Sequence, residues 1–194
     1  MKLKKFLFRN FYDISESLNF GRRDFIKDVA LGTAALFLWG CSSRPSPFTE
    51  SERECVIALA EQIVPRDEFP GATDVGVINY IENWISIYYP ERADFYKRAI
   101  AALQSHCAAK YSKPFQMLDF DTQEAILKDM ERGKLDKSHW SGISQTEFFG
   151  EILDRSMQGF YGNPRHGGNR DFASYAMMNL DSPLVIGRNQ YSIK

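Results

Sequence analysis

Three times this 194-residue chain sets Thr, Asp or Ser three residues ahead of a glutamate at the threshold of an apolar stripe: Thr49 with Glu52, Asp121 with Glu124, and Ser144 with Glu147. In such a capping box the first side chain accepts from the backbone N–H three residues on, and the glutamate reaches back to the capping residue's own N–H, so the pattern marks helix starts. After Thr49, Val56, Leu59, Ala60 and Ile63 line one face as far as Pro65. Val77, Ile78, Ile81, Trp84, Ile85 and Tyr88 recur at the same spacing, and Phe95, Ala99, Ala102 and Leu103 come after a helix start near Pro90. A helix from Asp121 stops at Gly133, one from Ser144 runs to Phe160, and a short sixth is expected around Asp171 to Met178. No stretch alternates with a period of two, so strands have no foundation. The expectation is an all-α fold: a single compact domain of about five to six helices, occupying residues 49–194. Its aromatic residues Trp84, Tyr88, Tyr89, Phe148 and Phe149 are read as core.

The first forty residues read as an address. A basic leader precedes the pair Arg22 and Arg23, then Asp24, Phe25, Ile26 and Lys27, then an apolar run from Val29 to Trp39. That run is roughly a dozen residues, whereas a spanning helix needs about 20, so a signal peptide fits better than an anchor. Arg22, Arg23 and Phe25 resemble the twin-arginine export motif, although Gly21 stands where Ser or Thr is usual. This implies passage of folded cargo through the twin-arginine translocase into the periplasm. "LWGC", residues 38–41, resembles a lipoprotein processing site, with Trp39 bulkier than usual. Cys41 is therefore acylated, tethering the product to a membrane, or lost to cleavage nearby, or kept in an uncleaved leader. Residues 41–48 form a polar, proline-bearing tether.

Without residues 1–40 the chain keeps 17 Lys and Arg against 21 Asp and Glu, so no basic surface for nucleic acid is expected. Cys55 and Cys107 then remain. They either form one disulfide in an oxidising compartment or lie as two buried thiols on apolar helix faces.

The densest local signal is "GFYGNPRHGGNRDF", residues 159–172. Gly162 and Gly167 have the glycine spacing of a phosphate-binding loop, but Gly168 and Asn169 stand where its lysine and hydroxyl belong. No GxGxxG comes after a strand, so a dinucleotide fold lacks its anchor. His106, His139 and His166 are scattered without metal-ligand spacing, and no CxxCH for covalent haem is present. Asp67 with Glu68 and Asp119 with Asp121 suit loops and caps better than a catalytic pair. No nucleophile elbow is present. No residue can be nominated as catalytic, cofactor-binding or metal-ligating in this chain.

The order of these parts resembles a known family. A twin-arginine leader, "LAEQIVPRDEFPGATDVGVINYIE" and the late "FFGEILDRSMQGFYGNPRHGGNRDFASYAMMNL" are similar to the small subunit (subunit 3, or gamma) of flavin dehydrogenases of the gluconate 2-dehydrogenase type. The most specific portion is Gly159 to Asp171. The chain departs from the pattern beyond it, with Tyr175 near the place of a tryptophan and "LDSP" in place of a glycine-proline-glycine turn.

The resemblance implies a non-catalytic partner of a large FAD-bearing subunit of the glucose-methanol-choline class. A multihaem cytochrome c subunit often joins such pairs and passes electrons to quinone. The small subunit's leader would carry the folded flavoprotein across the membrane, and the pair would act on a sugar, sugar acid or polyol. Phe160, Tyr161, Gly162, Pro164, Gly167, Gly168, Asn169, Arg170 and Asp171 are the expected docking edge. The bland reading of the same loop is that it folds back on its own domain, with Arg170 paired internally. The alternative for the whole chain is a stand-alone, lipid-anchored helical protein whose aromatic helices line a ligand pocket.

Overall fold

The structure, a computed structural model, describes residues 45–180; the export residues Arg22, Arg23 and Phe25, Cys41 and the end of "LDSP" lie outside the described residues. Within 45–180 the chain is all-helical, with α1 Glu50–Ile63, α2 Val77–Asn83, α3 Arg92–Tyr111, α4 Phe120–Glu131, α5 Gln145–Tyr161 and α6 Ala173–Met177. Short 3₁₀ turns at Phe115–Met117, Lys137–His139, Pro164–His166 and Arg170–Phe172 join them, and no strand occurs among the described residues.

Local sequence explains where each helix starts and stops. Thr49 accepts from the Glu52 N–H while its own N–H donates to the Glu52 carboxylate, so the first capping box closes in full. Ser144 caps α5 as expected, but Glu147 turns instead to Arg92, whose guanidinium lies 2.9 Å from its carboxylate. The start of α4 is two residues earlier than the sequence suggested. Its cap is Asp119, which accepts both the N–H and the hydroxyl of Thr122, leaving Asp121 in the first turn. At the other end Gly133 N–H donates to Met130 and Lys134 N–H to Asp129, a Schellman closure around the glycine.

One helix departs from the 3.6-residue pattern. After Asn83 the chain widens into a π-helical turn, Trp84–Tyr88, closed by Tyr89 N–H donating to the Trp84 carbonyl. The extra residue in that turn rotates the end of the helix off the buried stripe. Tyr88 and Tyr89, expected in the core, are therefore 55% and 45% exposed, while Trp84, Phe148 and the ring of Tyr96 stay inside. Trp84 is held by Tyr89 stacked at 4.5 Å and by the Arg155 guanidinium 4.3 Å from its ring.

Helix α5 is the element on which the others gather: α1, α2 and α4 all pack against it, and α3 packs against both α1 and α5. Tyr96, Phe148, Phe95 and Trp140 form an edge-to-face and tilted aromatic centre with ring separations of 5.8 to 6.3 Å. Phe48, just ahead of α1, reaches into it 6.1 Å from Tyr96. Around these rings Val56, Leu59, Ile81, Ile85, Ile100, Leu103, Ile126 and Ile152 are essentially fully buried. Each such aliphatic side chain contributes roughly 1.5–3 kcal/mol by leaving water.

Candidate functional site

The glycine-rich run is a closure built against its own domain. Helix α5 carries Gly159 where the Tyr80 ring lies against it; a Cβ there would sit 3.1 Å from the tyrosine's own Cβ. The chain then turns through Pro164–His166 and comes back so closely that a Cβ on Gly168 would stand 2.1 Å from the Gly159 carbonyl oxygen. Gly167 has φ +109°, and its α-carbon faces Asn79 and Asn83 on α2. Only glycine meets both demands without displacing backbone.

Asn169 completes the closure. Fully buried and left-handed at φ +47°, it donates from Nδ2 to the Gly162 carbonyl at 2.8 Å and accepts the Ser174 N–H at 3.0 Å. One amide side chain thus joins the end of α5 to the start of α6. Two more ties hold the loop to α2 and its approach: Arg170 N–H donates to Val75 at 3.0 Å, and the Asn83 side chain donates to the His166 carbonyl at 3.1 Å. Asp171 and Phe172 come next, with φ of +56° and +57°. Side chains held in that region cost on the order of 1–3 kcal/mol each, so the surrounding bonds must over-determine the path.

The nine expected docking residues separate accordingly. Phe160, Gly168 and Asn169 are buried, while Gly162, Pro164 and Gly167 are half-buried in the turn. Tyr161, Arg170 and Asp171 are exposed, as is Arg165 between them. Arg170 anchors the loop by its main chain; its guanidinium lies beside Gly76 and makes no ion pair with the described residues. The amides of His166, Gly167, Arg170 and Phe172 donate to carbonyls of the same domain and so are not turned toward an anion.

Other candidate groups have structural employment. Cys55 and Cys107 are free, buried thiols, so of the two fates open in the sequence the disulfide is not the one observed. Burial raises both, Cys107 to about 11, and a thiol in that state is a poor nucleophile near neutral pH. Asp119 is held below the usual carboxylate range by the N–H and hydroxyl of Thr122. Asp67 accepts the Phe69 N–H in a tight loop. His106 is buried on α3 with its ring 6.0 Å from that of His139, and burial, then the nearby Lys110 charge, favours its neutral form. No group of three metal-ligating side chains comes together among the described residues.

Sequence reading missed one surface. Between α1 and the approach to α4 lies a groove of about 510 Å³ lined by Ile57, Ala58, Met117 and Phe120, with Glu54 and Glu61 along it. Starting α4 at Asp121 hid the clue, because the true cap at Asp119 places Phe120 at the first helical position, where an exposed phenylalanine serves neither cap nor core.

Among known families, the model of gluconate 2-dehydrogenase subunit 3 matches residues 50–181, from the first residue of α1 through the glycine closure to just past α6. No curated protein and no solved structure matches the chain.

Proposed function

Since the chain belongs to the gluconate 2-dehydrogenase subunit 3 family, an accessory subunit of a dehydrogenase complex, we propose that it is the non-catalytic small subunit of an FAD-dependent dehydrogenase of the periplasm. In this reading the flavin and the chemistry belong to a large subunit of the glucose-methanol-choline class, which oxidises a sugar, sugar acid or polyol, and a multihaem cytochrome c accepts the electrons. The small subunit stabilises the flavoprotein and escorts it, already folded, through the twin-arginine route. Acylation of Cys41 would then hold the pair at a membrane.

The observation that carries this proposal is the family match across 50–181. Two features support it: the basic pair Arg22 and Arg23 ahead of an apolar run, and the closure at Gly159–Asp171, a rigid edge presenting Tyr161, Arg165, Arg170 and Asp171 outward. Aromatic and arginine side chains on a rigid frame are the residue types that anchor protein interfaces.

Co-expression with the cognate large subunit tests the escort role. Changing Arg22→Lys together with Arg23→Lys is expected to leave the flavoprotein in the cytoplasm and abolish periplasmic dehydrogenase activity. Export and activity at wild-type levels would refute it. A chain that elutes alone and captures no flavoprotein would favour the stand-alone, lipid-anchored binding protein.

A further inference from the structure

The groove between α1 and the start of α4 carries more exposed apolar surface than the fold uses. Met117 is 67% and Phe120 50% exposed, and neither belongs to the core. The elements that present them are fixed independently of either side chain. Phe115, two residues before Met117, is fully buried and pins the 3₁₀ turn, while Asp119 sets the start of α4 through Thr122. Beneath them Gln62 donates from Nε2 to the Phe120 carbonyl at 3.1 Å and to Gln123 at 2.9 Å. These bonds hold the start of α4 against α1, so the groove's floor is set by Gln62 and not by either exposed side chain.

The charge along the groove has one sign. Glu54 and Glu61 line it, and no lysine or arginine does. The two carboxylates differ in availability. Glu61 is engaged by the Thr73 hydroxyl and N–H and by the Arg66 N–H, whereas Glu54 makes no ion pair with the described residues. An occupant complementary to this lining has an apolar side chain for the space between Met117 and Phe120 and a cation for Glu54. An aqueous small anion fits neither.

We propose that this groove receives an apolar segment flanked by lysine or arginine from another protein subunit of the dehydrogenase complex. The inference rests on the reading of this chain as such a subunit and places a second contact on it, apart from the glycine closure. Grooves lined by a flexible methionine and an aromatic ring accept an apolar face of a partner helix or strand, with flanking charge setting orientation.

The test uses the full chain co-expressed with its cognate large subunit and recovered through a tag on the small one. Met117→Glu with Phe120→Glu is expected to cut recovery of the large subunit at least tenfold. Glu54→Lys is expected to cut it several-fold at low salt, with the deficit shrinking toward about 0.5 M salt, where surface charge is screened within a few ångströms. Glu54 is exposed and outside the core, so its variant decides the matter if the double glutamate variant fails to fold, which thermal unfolding of each purified chain reveals. Wild-type recovery in both variants would overturn the groove while leaving the subunit reading intact. Absence of any large subunit on the wild-type chain would overturn both.

Discussion

Gly168→Ala is expected to destabilise this domain more than a single added methyl suggests. The new Cβ would lie 2.1 Å from the Gly159 carbonyl oxygen, 2.8 Å from its carbon and 3.0 Å from its Cα. A carbon ordinarily approaches such an oxygen no closer than about 3.3 Å, so the two backbones must part by roughly 1 Å. Neither can move alone. Gly159 lies within α5 against Tyr80, and Gly168 adjoins the fully buried Asn169, whose bonds to Gly162 and Ser174 span the gap. Overpacking of this kind costs about 1–3 kcal/mol, and each buried bond lost with it adds about 1 kcal/mol. Together these give roughly 3–5 kcal/mol, a large share of a typical stability of about 5–15 kcal/mol. Urea and thermal unfolding of the purified chain measure it, with a fall in melting temperature of about 10 °C as the expected scale. Gly150→Ala is the matched control: nothing lies within 4 Å of its added Cβ, and alanine inside α5 should stabilise by about 0.5–1 kcal/mol. A Gly168→Ala chain within about 1 kcal/mol of wild type would refute the closure.

The buried thiols and the buried histidine give two further expected outcomes. Cys55 and Cys107 should resist alkylation in the native chain and react fully once it is unfolded without reductant; failure to react in the unfolded state would mean a disulfide. His106 should make stability fall in acid. A histidine in the unfolded chain titrates near pH 6.5, and with the native value lowered by burial the unfolded state takes up the proton first. Its contribution is complete above about pH 6.5 and is lost as the pH drops toward the native value, so His106→Gln should flatten that part of a stability-against-pH curve, and an unchanged slope would contradict it.

Much of the fold was legible because helices announce themselves locally. Thr49 and Ser144 cap where their side chains could be read to cap, and Gly133 ends α4 with a left-handed residue. What escaped depends on geometry with no local signature. A π turn adds one residue to a helix whose spacing looks regular, and this put Tyr88 and Tyr89 outside. Asp119 and Asp121 are equally good caps by composition; the choice fell to Asp119 through Thr122 and exposed Phe120. The glycine run was visible as unusual, but its purpose was not. Whether Gly168 faces a partner or Gly159 is a long-range fact, and the structure answers it in favour of Gly159. Gly167 and Gly168 are accounted for by their close approach to Asn79, Asn83 and Gly159 within the domain.

Native isolation of the full chain from cells, with gel filtration read at a flavin absorbance and at the mass of each component, tests the subunit reading most directly. Co-elution of this chain with a much larger flavin-bearing polypeptide is the predicted result. A lone 22.3 kDa species, or its processed form, free of flavin and without a larger partner would contradict it.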